Sequence, residues 1–128
     1  MSSPAAPPSV RPRRVVTDRR GGRSRSPYES FNLGDHVGDD PADVSANRAR
    51  VARELGVAED RLVWMNQVHG DRVEFVETAQ QSAFDETDAL VTATPRLALA
   101  VVTADCVPVL MADARAGVVA ARGTATRD

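Results

Sequence analysis

The chain has 128 residues and a formal net charge of −2, so it is long enough for one domain and has no basic field that would recruit nucleic acid. A single cysteine excludes an internal disulfide framework and favours a reduced, cytoplasmic setting. No apolar run approaches the roughly 20 residues that a membrane-spanning helix needs, and the N-terminus lacks the apolar core of a signal peptide. The composition therefore predicts a cytoplasmic protein that binds neither nucleic acid nor a membrane.

The N-terminal stretch is rich in proline, serine and alanine, and we predict a disordered leader over residues 1–14. Arginines are frequent from position 11 to position 25, which leaves two interpretations open. One is a basic arm for nucleic acid. The other is a solvated leader followed by an edge strand at residues 15–17 and a turn at Gly21 and Gly22. No aromatic residues alternate with the arginines, and this favours the second interpretation.

One helix is predicted at about residues 40–55. Asp39 or Asp40 can cap its N-terminus, and Pro41 suits the first helical position. The apolar residues at positions 44, 51, 52 and 55 fall on one face, and Gly56 is a typical C-terminal stop. The pattern predicts a surface helix with one buried stripe.

Short strands are predicted at residues 62–65, 71–76, 88–92, 97–102 and 107–112, and a further strand begins at Val118. Residues 97–102 are apolar on both faces, which predicts a central strand covered on both sides. The apolar pattern from position 118 gives way at Arg122 to a polar stretch without period, as in an interrupted domain. Together these elements predict an α+β fold with a mixed β-sheet and packed helices.

Two residues carry the strongest chemistry, since His69 is one of two histidines and Cys106 is the only cysteine. Each follows or interrupts a strand-like run, and Asp105 beside the cysteine needs a hydrogen-bonding role if it is buried. Three interpretations stay open on the residues alone. They are a Cys–His nucleophilic pair, a zinc site with thiolate and imidazole ligands, and a structural cysteine and a loop histidine that never meet.

Several stretches, taken together and in this order, resemble the laccase-domain proteins, also called the polyphenol oxidase or multicopper polyphenol oxidase family. The specific ones are N-Q-V-H-G at residues 66–70 and T-A-D-C-V-P-V at residues 103–109. The weaker ones are T-D-R-R-G-G at 17–22, F-N-L-G at 31–34, H-V-G-D-D at 36–40 and D-A-L-V-T at 88–92. The resemblance runs from Val15 to Ala121 and implies a laccase-domain-like fold.

The resemblance implies zinc-dependent purine nucleoside phosphorylase activity on adenosine, inosine and methylthioadenosine, together with deamination of adenosine. The substrates would be a purine nucleoside and phosphate. The family holds zinc with one cysteine and two histidines; the cysteine corresponds to Cys106 and the first histidine to His69 here. Asp105 is then expected to act as a proton carrier beside the metal, and Arg19 to pair with phosphate. We expect Asn66 and Gln67 to contact the substrate.

The chain departs from the family pattern after Ala121. The second histidine of the family belongs to an H-A-G-W-R-G-like motif directly after the V-V-A-A strand, whereas this chain continues with Arg122 and Gly123, and no histidine follows Cys106. We therefore predict that residues 15–121 form about the first half of the family domain and that residues 122–128 are a tail foreign to the family. A frameshift, a premature stop or a truncated gene model is the hypothesis for this change.

Two alternative functions follow from that departure and from the older family name. The chain can be an inactive, truncated member of the family, because the third metal ligand is missing. It can also be a copper-dependent phenol oxidase, but two histidines are too few for the imidazoles of a multicopper site. The sequence makes no prediction about the oligomeric state.

Overall fold

A computed structural model describes residues 12–35, 37–103 and 106–125 of the chain. The fold is α+β, as predicted, and its strands form mixed β-sheets. Its elements in chain order are helix α1 Pro41–Leu55, a short 3-10 turn Glu59–Arg61, and strands β1 Leu62–Val63, β2 Val73–Phe75, β3 Ala89–Thr92, β4 Ala98–Leu99, β5 Cys106–Asp113 and β6 Val118–Ala125. Within these ranges, no helix combines the length and apolar character needed to cross a membrane.

The predicted helix is confirmed together with both of its ends. The side chain of Asp40 accepts a hydrogen bond of 2.9 Å from the backbone N–H of Ala42, and Pro41 occupies the first turn. Gly56 ends the helix in the left-handed conformation with φ +72°, where its N–H reaches the carbonyls of Ala52 and Arg53. Glycine adopts this conformation without a Cβ penalty, which explains why the helix stops there.

The strands form two sheets. β1 and β4 pair in parallel as a two-stranded sheet, and the other four strands lie in the order β2-β3-β6-β5. In this larger sheet, β2 and β3 are parallel, whereas β6 is antiparallel to both β3 and β5. The mixed sheet is thus confirmed, and β6 is paired on both of its edges.

The core lies between the two sheets and beneath the helix. One buried cluster contains Val63, Met65, Val76, Leu90 and Leu97. A second cluster joins the helix residues Val51 and Ala52 to Leu62 of β1. Leu90 and Val63 are 0% and 1% exposed, so strands β3 and β1 supply the best-buried aliphatic side chains of this small core.

The predicted edge strand at residues 15–17 is wrong, and the strands predicted at 62–65, 71–76 and 97–102 are shorter in the structure. Residues 15–17 form no strand: Val16 is 83% exposed, and neighbouring Arg13 donates to the helix-end carbonyl of Leu55 instead. The predicted central strand at 97–102 shortens to Ala98–Leu99, whose side chains are half-buried. It pairs only with the two-residue strand β1, so the ladder ends as soon as its partner does. The predicted leader over residues 1–14 lies largely outside the described residues.

The last strand is longer than its sequence pattern predicts. Instead of ending at Ala121, β6 continues through Ala125. Residues Arg122 to Ala125 have little intrinsic strand preference, but they lie beside β5, and Arg122 also pairs with Ala89 of β3. Hydrogen bonding to neighbouring strands outweighs local propensity here, because strand preference depends on context.

Candidate functional site

The loop that carries His69 is fixed by one buried carboxylate. Asp88, immediately before β3, is 1% exposed. Its Oδ1 accepts hydrogen bonds from the backbone N–H groups of Val68 at 3.0 Å and His69 at 2.9 Å, and its Oδ2 accepts one from Gly70 at 2.9 Å. Three consecutive N–H groups converging on one anion form the concave arrangement that binds anions in many proteins. Here the anion is part of the chain itself.

His69 adopts a conformation that is unusual for a residue other than glycine. Its φ is +60°, in the left-handed region, and its side chain is exposed. A non-glycine residue in this region costs free energy and persists only where the surroundings impose it. The hydrogen bonds that the backbone N–H groups of this loop donate to Asp88 supply that constraint, so the carboxylate determines how the imidazole is presented.

Gly70 completes the same turn. A Cβ atom added at Gly70 would lie 3.2 Å from Oδ2 of Asp88, which is tighter than ordinary packing. The glycine therefore lets the backbone approach the carboxylate closely enough for its own N–H to bond. This is the physical reason for a glycine directly after the histidine in the N-Q-V-H-G stretch.

Gln67 connects this loop to the polypeptide that precedes Cys106. Its Nε2 donates to the carbonyl of Val102 at 3.1 Å. The side chain also lies against Gly123 of β6, where an added Cβ would come within 2.0 Å of its Oε1. Gly123 in turn donates its N–H to the carbonyl of Asp88 at 3.1 Å and pairs with Pro108 of β5.

Through Gln67 the histidine loop contacts Val102, which precedes Cys106, and Gly123 of β6, which pairs with β5. Val102 lies four residues before the cysteine and Pro108 two residues after it. Cys106 itself is the first residue of β5, with its backbone in register with Ala125. The backbone framework thus brings the two predicted halves of the site to one end of the larger sheet.

The side-chain arrangement of the predicted metal site remains a prediction. Asp105 and His36 lie outside the described residues, and only the backbone position of Cys106 is described. Among the side chains that the structure does describe, no three or more His, Cys, Asp or Glu residues are grouped so as to hold a metal ion. His69 is exposed on its loop, and Cys106 begins strand β5.

The predicted substrate residues have structural contacts in this arrangement. Nδ2 of Asn66 donates to Oδ1 of Asp85 at 2.9 Å, and the backbone of Asn66 bonds to Phe84 and Thr87. Arg19 is exposed, and its carbonyl accepts the N–H groups of Ser30 and Phe31. Asn66 and Gln67 therefore support the shape of the histidine loop, while Arg19 closes the turn that contains the two glycines.

A concave region lies between helix α1 and Trp64. It is a cavity of about 400 Å³ whose lining includes Arg48, Trp64 and Asp35. The guanidinium of Arg48 lies 3.9 Å from the centre of the Trp64 ring, and its Nε donates to the carbonyl of Leu33 at 2.8 Å. Burial lowers the pKa of Arg48 below its usual value, and the nearby Asp35 carboxylate offsets only part of this effect. Stacking and hydrogen bonding hold the cation in place.

Sequence reasoning missed the role of Asp88. The residue belongs to the D-A-L-V-T stretch, which predicts a strand and contributes to the family resemblance but assigns no role to the carboxylate. A signal was present, because an acid at the start of a buried strand must find partners or lose its charge. The same argument was applied to Asp105 beside the cysteine and holds equally for Asp88.

Comparison with known proteins agrees with this architecture. A family model described as "Multi-copper polyphenol oxidoreductase laccase" matches residues 13–124. Among solved structures, Bacillus licheniformis hypothetical protein YfiH superimposes with a TM-score of 0.78 at 34% identity, covering 84% of this chain and 43% of that one. YlmD from Geobacillus stearothermophilus gives a TM-score of 0.76 at 37% identity, covering 83% and 42%.

Relatives of known sequence carry a different functional name. A Mycobacterium bovis protein named purine nucleoside phosphorylase is 71% identical over 113 residues, which are 88% of this chain and 45% of that protein. A purine nucleoside phosphorylase from Corynebacterium glutamicum is 54% identical and is matched over 48% of its length. The chain spans about half the length of these relatives. It belongs to the laccase-like multicopper polyphenol oxidoreductase family.

Proposed function

We propose that this chain supplies the histidine-and-cysteine half of a zinc-dependent site for purine nucleoside phosphorolysis. The substrate class comprises adenosine, inosine and methylthioadenosine with phosphate, and deamination of adenosine is a second reaction of the same site. The observation that carries the proposal is the Asp88 carboxylate, which fixes the backbone of His69 through three N–H groups at 2.9–3.0 Å. A histidine held in a constrained conformation at a strand junction is typical of a functional site.

The relatives support the choice of reaction. At 71% identity over 113 residues, the mycobacterial protein named purine nucleoside phosphorylase shares most of the residues that build this part of the fold. In this proposal, His69 is a metal ligand, Asp88 positions it, and Gln67 ties its loop to the polypeptide before Cys106. Asp105 would accept or donate a proton, and Arg19 would pair with phosphate.

The side chains of His69 and Cys106 are donor types that suit zinc, but there are only two of them. An imidazole and a thiolate are ligands that zinc prefers, and a bound zinc ion would supply Lewis acidity and a water of lowered pKa. Catalytic zinc sites in proteins commonly use three protein ligands, and no histidine follows Cys106 in these 128 residues. His69 and Cys106 would therefore hold the metal only weakly without a third ligand.

The test combines metal content with turnover. Purified protein is analysed for zinc and copper, and phosphorolysis of inosine, adenosine and methylthioadenosine is followed by release of the free base. We expect zinc binding that falls at least tenfold in His69→Ala and Cys106→Ala. His36→Ala removes the other histidine of the chain and serves as the matched control, with metal binding retained.

A second candidate is an inactive member of the family. A folded, metal-free protein without turnover of any of the three nucleosides would establish this alternative and contradict the first. Bound copper together with oxidation of a phenol would instead establish the oxidase activity suggested by the family name. A thermal unfolding curve by circular dichroism should precede these assays, since each one needs a folded chain.

A further inference from the structure

The cavity between helix α1 and Trp64 contains a guanidinium that is held in place by the protein. Arg48 and Trp64 both line the cavity, and the side chain of Arg48 is only 21% exposed. The guanidinium carbon lies 3.9 Å from the centre of the indole ring, and Nε donates to the carbonyl of Leu33 at 2.8 Å. Stacking and this hydrogen bond fix the position of the cation before a ligand binds, which lowers the entropic cost of binding.

The other edge of this guanidinium keeps its donors available. Arginine has five N–H donors, and four of them belong to Nη1 and Nη2. Among residues 12–35, 37–103 and 106–125, no acceptor lies within hydrogen-bond distance of either nitrogen, since Oδ1 of Asp35 is 3.7 Å from Nη2. Two donors in one plane match a ligand that carries two adjacent acceptors. Arg48 therefore gives the cavity a bidentate donor edge.

The charges of the lining disfavour an ionic ligand. Its carboxylates are those of Asp35, Asp39, Glu59 and Asp60. The hydroxyl of Ser24 holds the pKa of Asp39 below its usual value, so this carboxylate stays ionised at neutral pH. Four negative charges repel a phosphate or a carboxylate. An organic cation would instead meet the guanidinium of Arg48, which already covers a face of the indole ring. An uncharged ligand with acceptors for Arg48 and N–H donors for the carboxylates fits both signs.

The size and the apolar part of the lining suit a flat ring. The cavity has a volume of about 400 Å³, within the usual range for small-molecule sites. Val44, Ala49 and Leu62 supply apolar surface in the same lining. A planar heterocycle can bury its faces against such surface while the atoms at its edge bond to the polar groups.

We propose that this cavity binds the base of a 6-oxopurine, such as hypoxanthine or guanine, and that Arg48 determines the choice of base. In a 6-oxopurine, O6 and N7 are adjacent acceptors, and arginine binds this pair in bidentate fashion. The N1–H group is a donor for a carboxylate of the lining. Adenine has an amino group in place of O6, so it presents a donor to the donors of Arg48.

The choice of a purine rests on the proposed function, whereas the pattern of donors and acceptors rests on the cavity. The inference ranks the nucleosides of the proposed reaction. Inosine carries the 6-oxo base, while adenosine and methylthioadenosine carry the 6-amino base. Loss of one bidentate pair costs about tenfold or more in affinity, so inosine is expected to bind best.

The test uses Trp64, the only tryptophan of the chain, whose fluorescence reports on the cavity. Hypoxanthine, inosine, adenine and inorganic phosphate are each titrated into the full 128-residue chain without added zinc. The signal is corrected for light that the base absorbs. We expect saturable quenching by hypoxanthine and inosine, at least tenfold weaker binding of adenine, and no binding of phosphate.

Arg48→Lys keeps the positive charge but removes the planar pair of donors, so hypoxanthine should bind at least tenfold more weakly and lose its advantage over adenine. Arg53→Gln is the matched control, because Arg53 is an exposed arginine of the same helix outside the cavity lining. Circular dichroism verifies that both variants fold. Equal affinities for hypoxanthine and adenine in the unchanged chain would overturn the proposal. Tighter binding of phosphate than of hypoxanthine, or undiminished selectivity in Arg48→Lys, would also overturn it.

This inference and the proposed function can fail separately. Selective binding of hypoxanthine without turnover of any nucleoside supports the cavity and contradicts the proposed function. Phosphorolysis with the same kcat/KM for inosine and adenosine, unchanged in Arg48→Lys, contradicts the role of Arg48 and leaves the proposed function standing.

Discussion

The backbone N–H of His69 donates a hydrogen bond of 2.9 Å to the buried Oδ1 of Asp88, 19 residues further along the chain. This contact joins an exposed imidazole to the start of strand β3, whose next residues are among the best buried of the fold. The conformation of the histidine is therefore coupled to the core. A change in the core at β3 should alter the presentation of the side chain.

Replacement of Asp88 by asparagine tests this coupling. The amide keeps the size of the carboxylate but replaces one acceptor oxygen with a donor, which opposes the N–H groups of residues 68–70. Hydrogen bonds to charged groups contribute roughly 1.5–3 kcal/mol, so we expect the free energy of unfolding to fall by about 2 kcal/mol. Hydrogen exchange of the three amides should become at least tenfold faster.

Glu77→Gln is the control for Asp88→Asn, since Glu77 is an exposed carboxylate outside the histidine loop. It should change neither the exchange of residues 68–70 nor, beyond about 0.5 kcal/mol, the stability. Unchanged protection of these amides in Asp88→Asn would show that the loop keeps its shape without the carboxylate.

Gly123 is predicted to be intolerant of a side chain. In Gly123→Ala the new Cβ would come within 2.0 Å of Oε1 and 2.8 Å of Cδ of Gln67, so the glutamine must move and give up its hydrogen bond to Val102. Overpacking of this kind costs about 1–3 kcal/mol, and denaturant unfolding measures it.

A double variant separates this steric cause from a general loss of strand stability. Gln67→Ala removes the opposing group, so the cost of Gly123→Ala should fall substantially when both changes are present. Strict additivity of the two single changes would contradict the predicted clash.

Asn47 is predicted to be the main connection between the N-terminal loop and helix α1. It is 1% exposed, and its amide donates to Ser24, Ser30 and Asn32 and accepts from the backbone N–H of Arg23. Asn47→Ala leaves several of these groups without a partner, and we expect a loss of roughly 2–4 kcal/mol in the free energy of unfolding.

The exposed residue Ser45 on the same helix provides the control for Asn47→Ala. Ser45→Ala should lie within about 0.5 kcal/mol of the unchanged protein in the same denaturation experiment. A loss equally small in Asn47→Ala would mean that water replaces the amide at no cost.

Acid should weaken the N-terminal loop through Asp39. The hydroxyl of Ser24, 2.5 Å from Oδ2, holds the pKa of Asp39 below its usual value, with help from the Asn32 amide and the Asp40 N–H. Because the folded pKa is depressed, the stabilisation is present above the unfolded pKa of about 4 and is lost as pH falls through the lower, folded pKa. Asp39→Asn should be less stable at neutral pH and lose less stability on acidification.

Titration by NMR checks the cause directly. Ser24→Ala removes the largest contribution, so the pKa of Asp39 should rise toward its ordinary value in that variant. An unchanged pKa in Ser24→Ala would assign the shift to other groups.

Local patterns determined the helix and the approximate positions of the strands along the chain. Asp40, Pro41 and Gly56 each act within one turn of the helix ends, so a sequence reader can place the boundaries of α1 without knowing its neighbours. The N-Q-V-H-G stretch likewise identifies His69 as the residue to examine. Capping and turn formation depend on residues that are close in the sequence, so both can be predicted from the sequence.

Only the tertiary structure decided which residues support that histidine. Asp88 lies 19 residues from His69, and Gly123 meets Gln67 across the sheet, so no local pattern relates them. Pairing with β5 also makes a strand of residues 122–125, whose own strand propensity is weak. The apolar stretch at 97–102, in contrast, forms a strand at only two residues, because its partner β1 is only two residues long. These outcomes depend on long-range hydrogen bonding and burial, which arise only when distant segments meet in the folded chain.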